Sequence, residues 1–264
     1  MENIELPLHD KNIVITRSKD QISTVKSLFQ NQGAKIFDLP ALVIQYPDNL
    51  KPLDDALKEI NEFHWIIFTS SNGIKFVEKR LIDKGLSLKN STKTLKIAVV
   101  GEKTSQTLKD LGIEADYIPP DFIAESLVNN FPMSGYGQKV LIPRVQSGGR
   151  NFIAEQFRNV GANVLEVPAY ESKCPVSIPI KTIEAFKKKS IDAIIFSSGK
   201  TVRNSAFLLE KEFGREWLTM FIDIKLFSIG PQTSQVCKEI FGRVDKEATK
   251  YSFEGLLEVA IDSL

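Results

Sequence analysis

The sequence predicts an α/β fold in which two similar domains each have a parallel sheet covered by helices on both faces. Short β-branched runs alternate along the chain with segments of helical periodicity, an order typical of parallel sheets whose strands are joined by helices. Several short sequences also occur twice, in the same order and 127–129 residues apart, in a chain of 264 residues. The repeated unit has the size of an ordinary domain, so the length accommodates two of them.

The first repeat begins with a strand and a helix. Residues 13–17 (IVITR) form a β-branched run with a polar end, and apolar residues follow at helical spacing between 25 and 29. Gly33 suits the end of that helix, because glycine readily adopts the left-handed conformation found after the last turn. Residues 36–46 are then extended. Pro40 within them argues against a central strand, since proline cannot donate a hydrogen bond to a neighbouring strand.

Two further strands follow, each with a polar end that begins a helix. Residues 65–71 (WIIFTSS) start as a continuous apolar run, which is typical of a parallel strand buried on both faces. The run ends in Thr and Ser, which are favourable N-caps for the helix that contains the apolar residues of 74–77. Residues 96–101 (KIAVVG) and 104–112 repeat the strand, turn and helix order. This alternation predicts a doubly wound sheet, three layers thick, in each domain.

The internal repeat consists of five pairs of short sequences. The pairs are GA at 33 and 161, FTSS at 68 with FSSG at 196, GEKTSQTLKD at 101 with GPQTSQVCKE at 230, FIAESL at 122 with YSFEGL at 251, and TR at 16 with PR at 143. Similar landmarks in one order with nearly constant offsets are a signature of internal duplication. The sequence therefore predicts a tandem duplication.

Composition and charge exclude several classes of protein. The net charge of +1 gives no overall basic field for nucleic acid or a membrane surface. No apolar run is long enough to span a bilayer, and the first residues do not resemble a signal peptide. Cys174 and Cys237 are far apart, which favours reduced thiols in a cytoplasmic protein. With His9 and His64 as the only histidines, we expect no transition-metal site. A carboxylate-only magnesium site stays open but has no supporting motif.

The polar ends of the predicted strands form the candidate binding site. Ligands of parallel α/β sheets bind at the carboxyl ends of the strands. Helix N-termini there present free backbone N–H groups that favour carboxylates or phosphates. The residues at these positions are Thr69, Ser70, Ser71, Asn72, Gly73, Gly101, Lys103, Thr104, Ser197, Ser198, Gly199, Gly230 and Thr233. Each Ser or Thr taken alone is better explained as a helix cap, but recurrence in both halves favours a shared anion-binding role.

Two arginines and one tyrosine complete the candidate site. Arg17 and Arg144 end equivalent strands, where each suits either bidentate carboxylate binding or a structural ion pair. Arg150 and Lys103 are weaker candidates of the same kind. Tyr170 stands where the first repeat has Leu42, and its phenol can donate a hydrogen bond or a proton. An amphipathic aromatic residue at a strand edge explains this tyrosine equally well.

The sequence lacks the motifs of several other site types. It has no GxGxxG after a strand and no GxxxxGK[ST], so dinucleotide and P-loop sites have no fingerprint. Ser70 and Ser198 do not lie in GxSxG, which argues against a hydrolase triad. A nucleotide-using enzyme is therefore disfavoured.

The ordered motifs resemble those of the uroporphyrinogen-III synthase family. They are ITR, WIIFTSSNGI, IAVVGEKT, DYIPPDFIAESL, VLIPRVQSGGR, GANVLEVPAYES, AIIFSSGKTVRN and FSIGPQTSQ, and they cover nearly the whole chain. The resemblance implies two flavodoxin-like domains around a cleft, joined by extended segments at 39–46 and 166–173. It also implies an exchanged first strand–helix unit, with residues 1–39 and 172–264 in domain one and 40–171 in domain two. Periodicity alone favours two consecutive halves.

The resemblance also implies a reaction. Its substrate is hydroxymethylbilane, a linear tetrapyrrole with eight carboxylates, which loses water, inverts its last pyrrole ring and closes as uroporphyrinogen III. No metal or organic cofactor is implied, and we expect a monomer whose partner is this small molecule. Tyr170 matches the position of a functionally implicated tyrosine of the family, and we expect it to act as the proton donor. The cleft-lining hydroxyls of the family match Thr69, Ser70, Thr104, Ser197, Ser198 and Thr233. A non-catalytic two-domain binder of a small polyanion remains the alternative.

Overall fold

The computed structural model describes residues 6–17, 22–91, 94–132, 136–147 and 151–264, and these form two compact units. The first unit consists of Met1–Val43 and Lys173–Leu264, and the second unit of Ile44–Ser172. Both ends of the chain therefore belong to the first unit.

The described residues contain ten strands and eleven α-helices. The strands are β1 (Asn12–Ile15), β2 (Lys35–Asp38), β3 (Val43–Gln45), β4 (Trp65–Phe68), β5 (Lys96–Val99), β6 (Lys139–Val145), β7 (Asn163–Lys173), β8 (Ala193–Phe196), β9 (Lys225–Ser228) and β10 (Lys246–Glu247). The helices are α1 (Ile22–Gln30), α2 (Lys51–Lys58), α3 (Ser71–Ile82), α4 (Leu88–Ser91), α5 (Glu102–Asp110), α6 (Ala124–Asn129), α7 (Phe152–Asn159), α8 (Ile180–Lys187), α9 (Gly199–Phe213), α10 (Pro231–Phe241) and α11 (Phe253–Ser263). Short 3₁₀ helices cover Ile60–Glu62 and Trp217–Phe221.

The strands form two five-stranded sheets. The first sheet has the order β10-β9-β8-β1-β2, and the second has the order β3-β7-β6-β4-β5. All four pairings of the first sheet are parallel, as are those of β4 with β5 and β6 and of β6 with β7 in the second. The prediction of a mixed α/β fold with parallel sheets is confirmed. The first sheet combines two strands from the beginning of the chain with three from its end.

The first sheet has a hydrophobic core on each of its faces, because successive side chains along its strands point to opposite sides. Val14 and Ile194 pack on one face with Phe186 of α8, and Ile13 and Ile195 pack on the other with α1 and α11. All of these strand residues are buried, because successive strand side chains point to opposite faces and helices cover both. Apolar burial on both faces is the main stabilising contribution to such a sheet.

The second sheet has the same organisation. Ile66 and Phe68 of β4 pack with Leu81 of α3 on one face, while Trp65 and Ile67 pack with α6 and α7 on the other. The polar residues that follow each strand are thus held at the carboxyl end of a rigid, buried layer.

The extended stretch around Pro40 divides into two edge strands. β2 ends at Asp38 and β3 begins at Val43, so Pro40 lies between them, outside both ladders. β2 is at an edge of the first sheet and β3 at an edge of the second, which agrees with the prediction that this stretch is not a central strand. The turn before β2 requires glycine, because Gly33 has a φ of 94° and an added Cβ would lie 2.9 Å from the backbone nitrogen of His9.

Candidate functional site

Ser70 begins helix α3 at the carboxyl end of strand β4. Its backbone is extended, and its Oγ accepts a hydrogen bond from the Gly73 N–H over 3.1 Å. This is the arrangement expected of a serine N-cap. Asn72 and Gly73 lie in the first turn of α3, and Gly73 is buried. An added Cβ on Gly73 would lie 3.4 Å from both the Phe68 ring and the Pro143 carbonyl oxygen, so the turn packs closely on the sheet.

Tyr170 reaches the same serine from strand β7. Its phenol oxygen lies 2.9 Å from Ser70 Oγ, and only 9% of the residue is exposed. The Tyr170 ring stacks on Phe76 of α3 with the centroids 5.8 Å apart, and Phe76 in turn makes an edge contact with Tyr46. The Tyr46 hydroxyl donates to the Phe76 carbonyl. The phenol of Tyr170 is therefore held in one position by its ring contacts and by its hydrogen bond.

A cavity of about 210 Å³ opens beside Tyr170. Its polar lining residues are Thr69, Arg144, Glu166 and Tyr170. The remaining lining comes from apolar side chains of β6, α6 and α7 and from Val100 after β5. A mostly apolar cavity with a few convergent polar groups is the usual form of a small-molecule site.

Arg144 is part of an ion-pair cluster at the edge of this cavity. Its Nη1 donates to both Glu166 and Asn151, and Arg158 Nη2 lies 3.0 Å from the other oxygen of Glu166. The sequence offered a structural ion pair as one alternative for Arg144, and the structure contains this pair. The same side chain also lines the cavity. Two guanidinium groups share one carboxylate here. Arg150 lies outside the described residues.

The loop before α5 is linked to the loop before α3. Gly101 is the N-cap of α5, and its carbonyl accepts from the Thr104 N–H over 2.9 Å. Ser71 Oγ donates to the Lys103 carbonyl over 3.1 Å. Thr104 is buried, whereas Lys103 is exposed. The structure therefore brings Ser71 to the Gly101–Thr104 loop, while Lys103 presents its ammonium to solvent.

The first unit has a corresponding loop after strand β8. Ser197 directly follows the strand, and Ser198 caps the 15-residue helix α9 by accepting from the Thr201 N–H. Thr201 Oγ1 accepts from the Ser198 N–H in return, which completes a capping box. Gly199 is the first residue of α9, and an added Cβ there would lie 2.9 Å from Val236 of α10. These contacts fix the α9 N-terminus against α10.

A second cavity of about 410 Å³ lies at the N-termini of α9 and α10. Its lining includes the predicted residues Ser197, Ser198, Gly199, Gly230 and Thr233, together with Tyr251. The structure thus brings together the five residues predicted after strands β8 and β9, whereas Arg17, predicted after β1 of the same sheet, does not line this cavity.

Arg17, at the end of strand β1, is held against an aromatic ring. Its guanidinium carbon lies 4.6 Å from the centroid of Phe253, at the start of α11. Burial lowers the pKa of Arg17 because desolvation disfavours its charged form. Arg17 thus makes a cation–π contact with the protein's own Phe253 ring.

The described residues contain no group of three or more His, Cys, Asp or Glu side chains placed to hold a metal ion. None of their helices has the length and hydropathy that a membrane span needs.

Three residues of these sites are not among those that the sequence predicts. Glu166 holds Arg144, and no local pattern identifies it because its partners lie on other elements. Phe76 was assigned only to a helix core, yet it supports Tyr170. Tyr251 lines the second cavity, and its place in the repeated FIAESL and YSFEGL pair was the signal that could have identified it.

Comparison with known proteins gives consistent results. The family model HEM4, described as uroporphyrinogen-III synthase HemD, matches residues 23–258. A uroporphyrinogen-III synthase of Synechococcus elongatus is 43% identical over 96% of this chain and 95% of its own length. A putative uroporphyrinogen-III synthase of Methanocaldococcus jannaschii is 32% identical over 94% and 96%. The crystal structure of uroporphyrinogen-III synthetase from Helicobacter pylori has a TM-score of 0.61 at 20% identity over 96% of this chain and 99% of that one, a likeness of fold.

Proposed function

The chain belongs to the uroporphyrinogen-III synthase family, and we propose that it converts hydroxymethylbilane into uroporphyrinogen III as a hydro-lyase. The observation that carries the proposal is the hydrogen-bonded phenol of Tyr170, 2.9 Å from Ser70, beside a mostly apolar cavity that Arg144 also lines. This arrangement combines one proton donor, one cation and a surface suited to a pyrrole ring.

The first step is the loss of the substrate's hydroxyl group. The nitrogen electron pair of the pyrrole that carries the hydroxymethyl group expels the hydroxyl. The phenol proton of Tyr170 passes to this hydroxyl, so that it leaves as water. A positively charged azafulvene ring and a phenolate remain. The apolar walls of the cavity limit the access of water to the reactive cation, which disfavours its hydrolysis.

Ring closure with inversion requires control of conformation more than strong acid or base chemistry. The substituted carbon of the last pyrrole attacks the cation and gives a spiro intermediate. The older bond from that carbon to its methylene bridge then breaks, which leaves an azafulvene cation on the third ring. The free α-carbon of the last ring attacks this cation in the inverted sense, and the proton lost from that carbon passes to the phenolate and restores the phenol. Holding the chain near the geometry of inverted attack favours this path over spontaneous uninverted closure.

The carboxylates of the substrate match the polar ends of the strands. Backbone N–H groups at the starts of α3, α5, α9 and α10 suit carboxylates without formal charge on the protein. In this proposal, the substrate-binding hydroxyls are those of Thr69, Ser70, Ser71, Thr104, Ser197, Ser198 and Thr233. Arg17, Lys103 and Arg144 add positive charge near the strand ends.

The evolutionary part of the proposal is a tandem duplication in which the first strand–helix unit was exchanged. The five repeated sequence pairs support it, as does a first sheet that combines β1 and β2 with β8, β9 and β10. A monomer that acts in the cytoplasm remains our expectation from the sequence.

An isomer assay tests the proposed function. The protein is mixed with freshly made hydroxymethylbilane, and the products are oxidised to porphyrins and separated into isomers I and III. We expect isomer III to predominate, because enzymatic closure outpaces the spontaneous reaction. Isomer I alone, at the rate seen without protein, would refute the proposal and favour a non-catalytic binder.

A further inference from the structure

We propose that Tyr251 forms an aromatic platform in the first unit that binds one pyrrole ring of the substrate and thereby helps to determine specificity. This inference rests on the proposed function and deepens it. The structure assigns the platform, the α9 and α10 N-termini and the Thr233 hydroxyl to a single subsite for a pyrrole carrying carboxylates.

Tyr251 lies on a glycine and leaves most of its ring in solvent. An added Cβ on Gly230 would lie 3.1 Å from the Tyr251 ring, so glycine is what allows the ring to approach the backbone this closely. The residue is 69% exposed and lines the 410 Å³ cavity. The φ of Gly230 is 171°, which other residues adopt without strain. The presence of glycine at position 230 is therefore explained by the close approach of the Tyr251 ring and not by the backbone conformation.

The other side of the cavity is built for an anion. The N-termini of α9 and α10, helices of 15 and 11 residues, meet there, and Ser198 and Gly230 are their N-caps. Thr233 lines the cavity with only 4% of its surface exposed. Its hydroxyl makes no hydrogen bond within the described part of the chain and is not one of the fully buried unpaired atoms there, so it is accessible from the cavity. A ligand oxygen in the cavity can therefore hydrogen-bond to it.

These two features together define the ligand class. The aromatic face of Tyr251 suits a flat aromatic ring in an offset or edge-to-face arrangement, and the helix N-termini with Thr233 suit a carboxylate attached to it. No acidic side chain is among the described residues that line the cavity, so a carboxylate meets no like charge there. The cavity volume is within the ordinary range of small-ligand sites, about 300–1,000 Å³. A pyrrole with acidic side chains would contact the Tyr251 ring with its own ring and the helix N-termini with its carboxylates.

Substitutions at Tyr251 test the platform. Tyr251→Ala is expected to raise KM for hydroxymethylbilane by roughly three- to tenfold, the effect of losing one aromatic pair, and to increase the share of isomer I. Tyr251→Phe keeps the ring and should resemble the wild type. The matched control is Tyr136→Ala, because Tyr136 is 78% exposed and also lies over a glycine, Gly161, but does not line the cavity. This control should leave KM and the isomer ratio unchanged.

A binding measurement separates this inference from the proposed function. In NMR titrations of the full chain with a monopyrrole dicarboxylate, we expect the amide signals of Gly199, Gly230 and Thr233 to shift. The shifts should be lost in Tyr251→Ala and kept in Tyr136→Ala. A wild type that forms only isomer I but shows these shifts would refute the proposed function and leave the subsite supported. A wild type that forms isomer III while Tyr251→Ala matches it in KM, isomer ratio and shifts would refute the subsite alone.

Discussion

The phenol oxygen of Tyr170 lies 2.9 Å from Ser70 Oγ, across 100 positions of sequence. The same Ser70 Oγ accepts the Gly73 N–H at the start of helix α3. When the Ser70 hydroxyl donates to Tyr170, the phenol proton is left available to a ligand in the neighbouring cavity. One serine thus joins a helix N-terminus to the candidate proton donor.

Tyr170→Phe should separate the chemical role of the phenol from its packing role. The variant keeps the ring contact with Phe76 and loses only the hydroxyl. We expect turnover to fall by about tenfold to a hundredfold, since a positioned acid contributes at least this much. The free energy of unfolding should decrease by about 1 kcal/mol, the value of one hydrogen bond. Steady-state kinetics and urea unfolding measure both, and unchanged turnover would leave Tyr170 with a structural role.

Ser70→Ala should affect both stability and turnover. Loss of the α3 N-cap is expected to cost about 1 kcal/mol, and loss of the Tyr170 partner should lower turnover. Ser252→Ala is the matched control for stability, because Ser252 caps α11 by accepting the Gly255 N–H over 3.2 Å. Ser70→Thr should retain both properties. Equal turnover in Ser70→Ala and Ser252→Ala, measured on folded protein, would contradict a role of Ser70 in positioning Tyr170.

Arg144→Ala should raise KM, whereas Arg158→Ala should not. Both arginines pair with Glu166, but only Arg144 lines the cavity beside Tyr170. We expect KM for hydroxymethylbilane to increase about tenfold in Arg144→Ala, in line with losing a hydrogen bond to a charged group. Arg158→Ala lacks one ion pair of the same cluster and serves as its control. An equal increase in both variants would assign the effect to the Glu166 cluster instead of the cavity.

The fold could be predicted from local patterns, whereas the strand order could not be derived from them. WIIF followed by Thr and Ser indicates a buried strand and a helix cap, and the structure has β4 and α3 there. The placement of β1 beside β8 depends on contacts such as Val14 with Ile194, 180 positions apart. Apolar periodicity specifies that both are buried strands without specifying which strands pair.

In the candidate site too, local patterns predict some features, whereas others depend on tertiary contacts. The sequence predicts N-caps among the Ser and Thr residues that follow the strands, because an N-cap depends on residues within a few positions, and in the structure Ser70 and Ser198 are two of these caps. The sequence leaves open whether Arg144 binds a ligand or forms a structural ion pair, and the structure shows its ion pair with Glu166. Such a pairing depends on the register of β6 with β7, where Ile142 is opposite Glu166. Tertiary partners of this kind carry no local signature.

Stability should depend on pH through Asp54. Hydrogen bonds from Arg80 hold the pKa of the Asp54 carboxyl at about 2, below its usual range. Since the folded-state pKa is the lower one, the contribution of Asp54 is present above about pH 4 and is lost as the pH falls towards 2.

Asp54→Asn should therefore lower the free energy of unfolding by about 1 kcal/mol at pH 7, a value reduced by solvent screening of this partly exposed pair. The difference from wild type should disappear near pH 2. Asp55→Asn is the control, because its pair with Lys51 is exposed and should matter little. Urea unfolding at several pH values checks this, and a pH-independent difference would exclude Asp54 ionisation as its source.

The two cysteines should differ in reactivity. Cys237 is fully buried in α10, and burial raises its pKa to about 12. At pH 8 only about one thiol in ten thousand would then be a thiolate, the reactive form. Burial also raises the pKa of Cys174, but this residue is partly exposed and Lys211 opposes the shift. Iodoacetamide should thus label Cys174 first and Cys237 only after unfolding. Peptide mass spectrometry over time, with and without urea, measures both, and equal labelling of the folded protein would show that the α10 core opens readily.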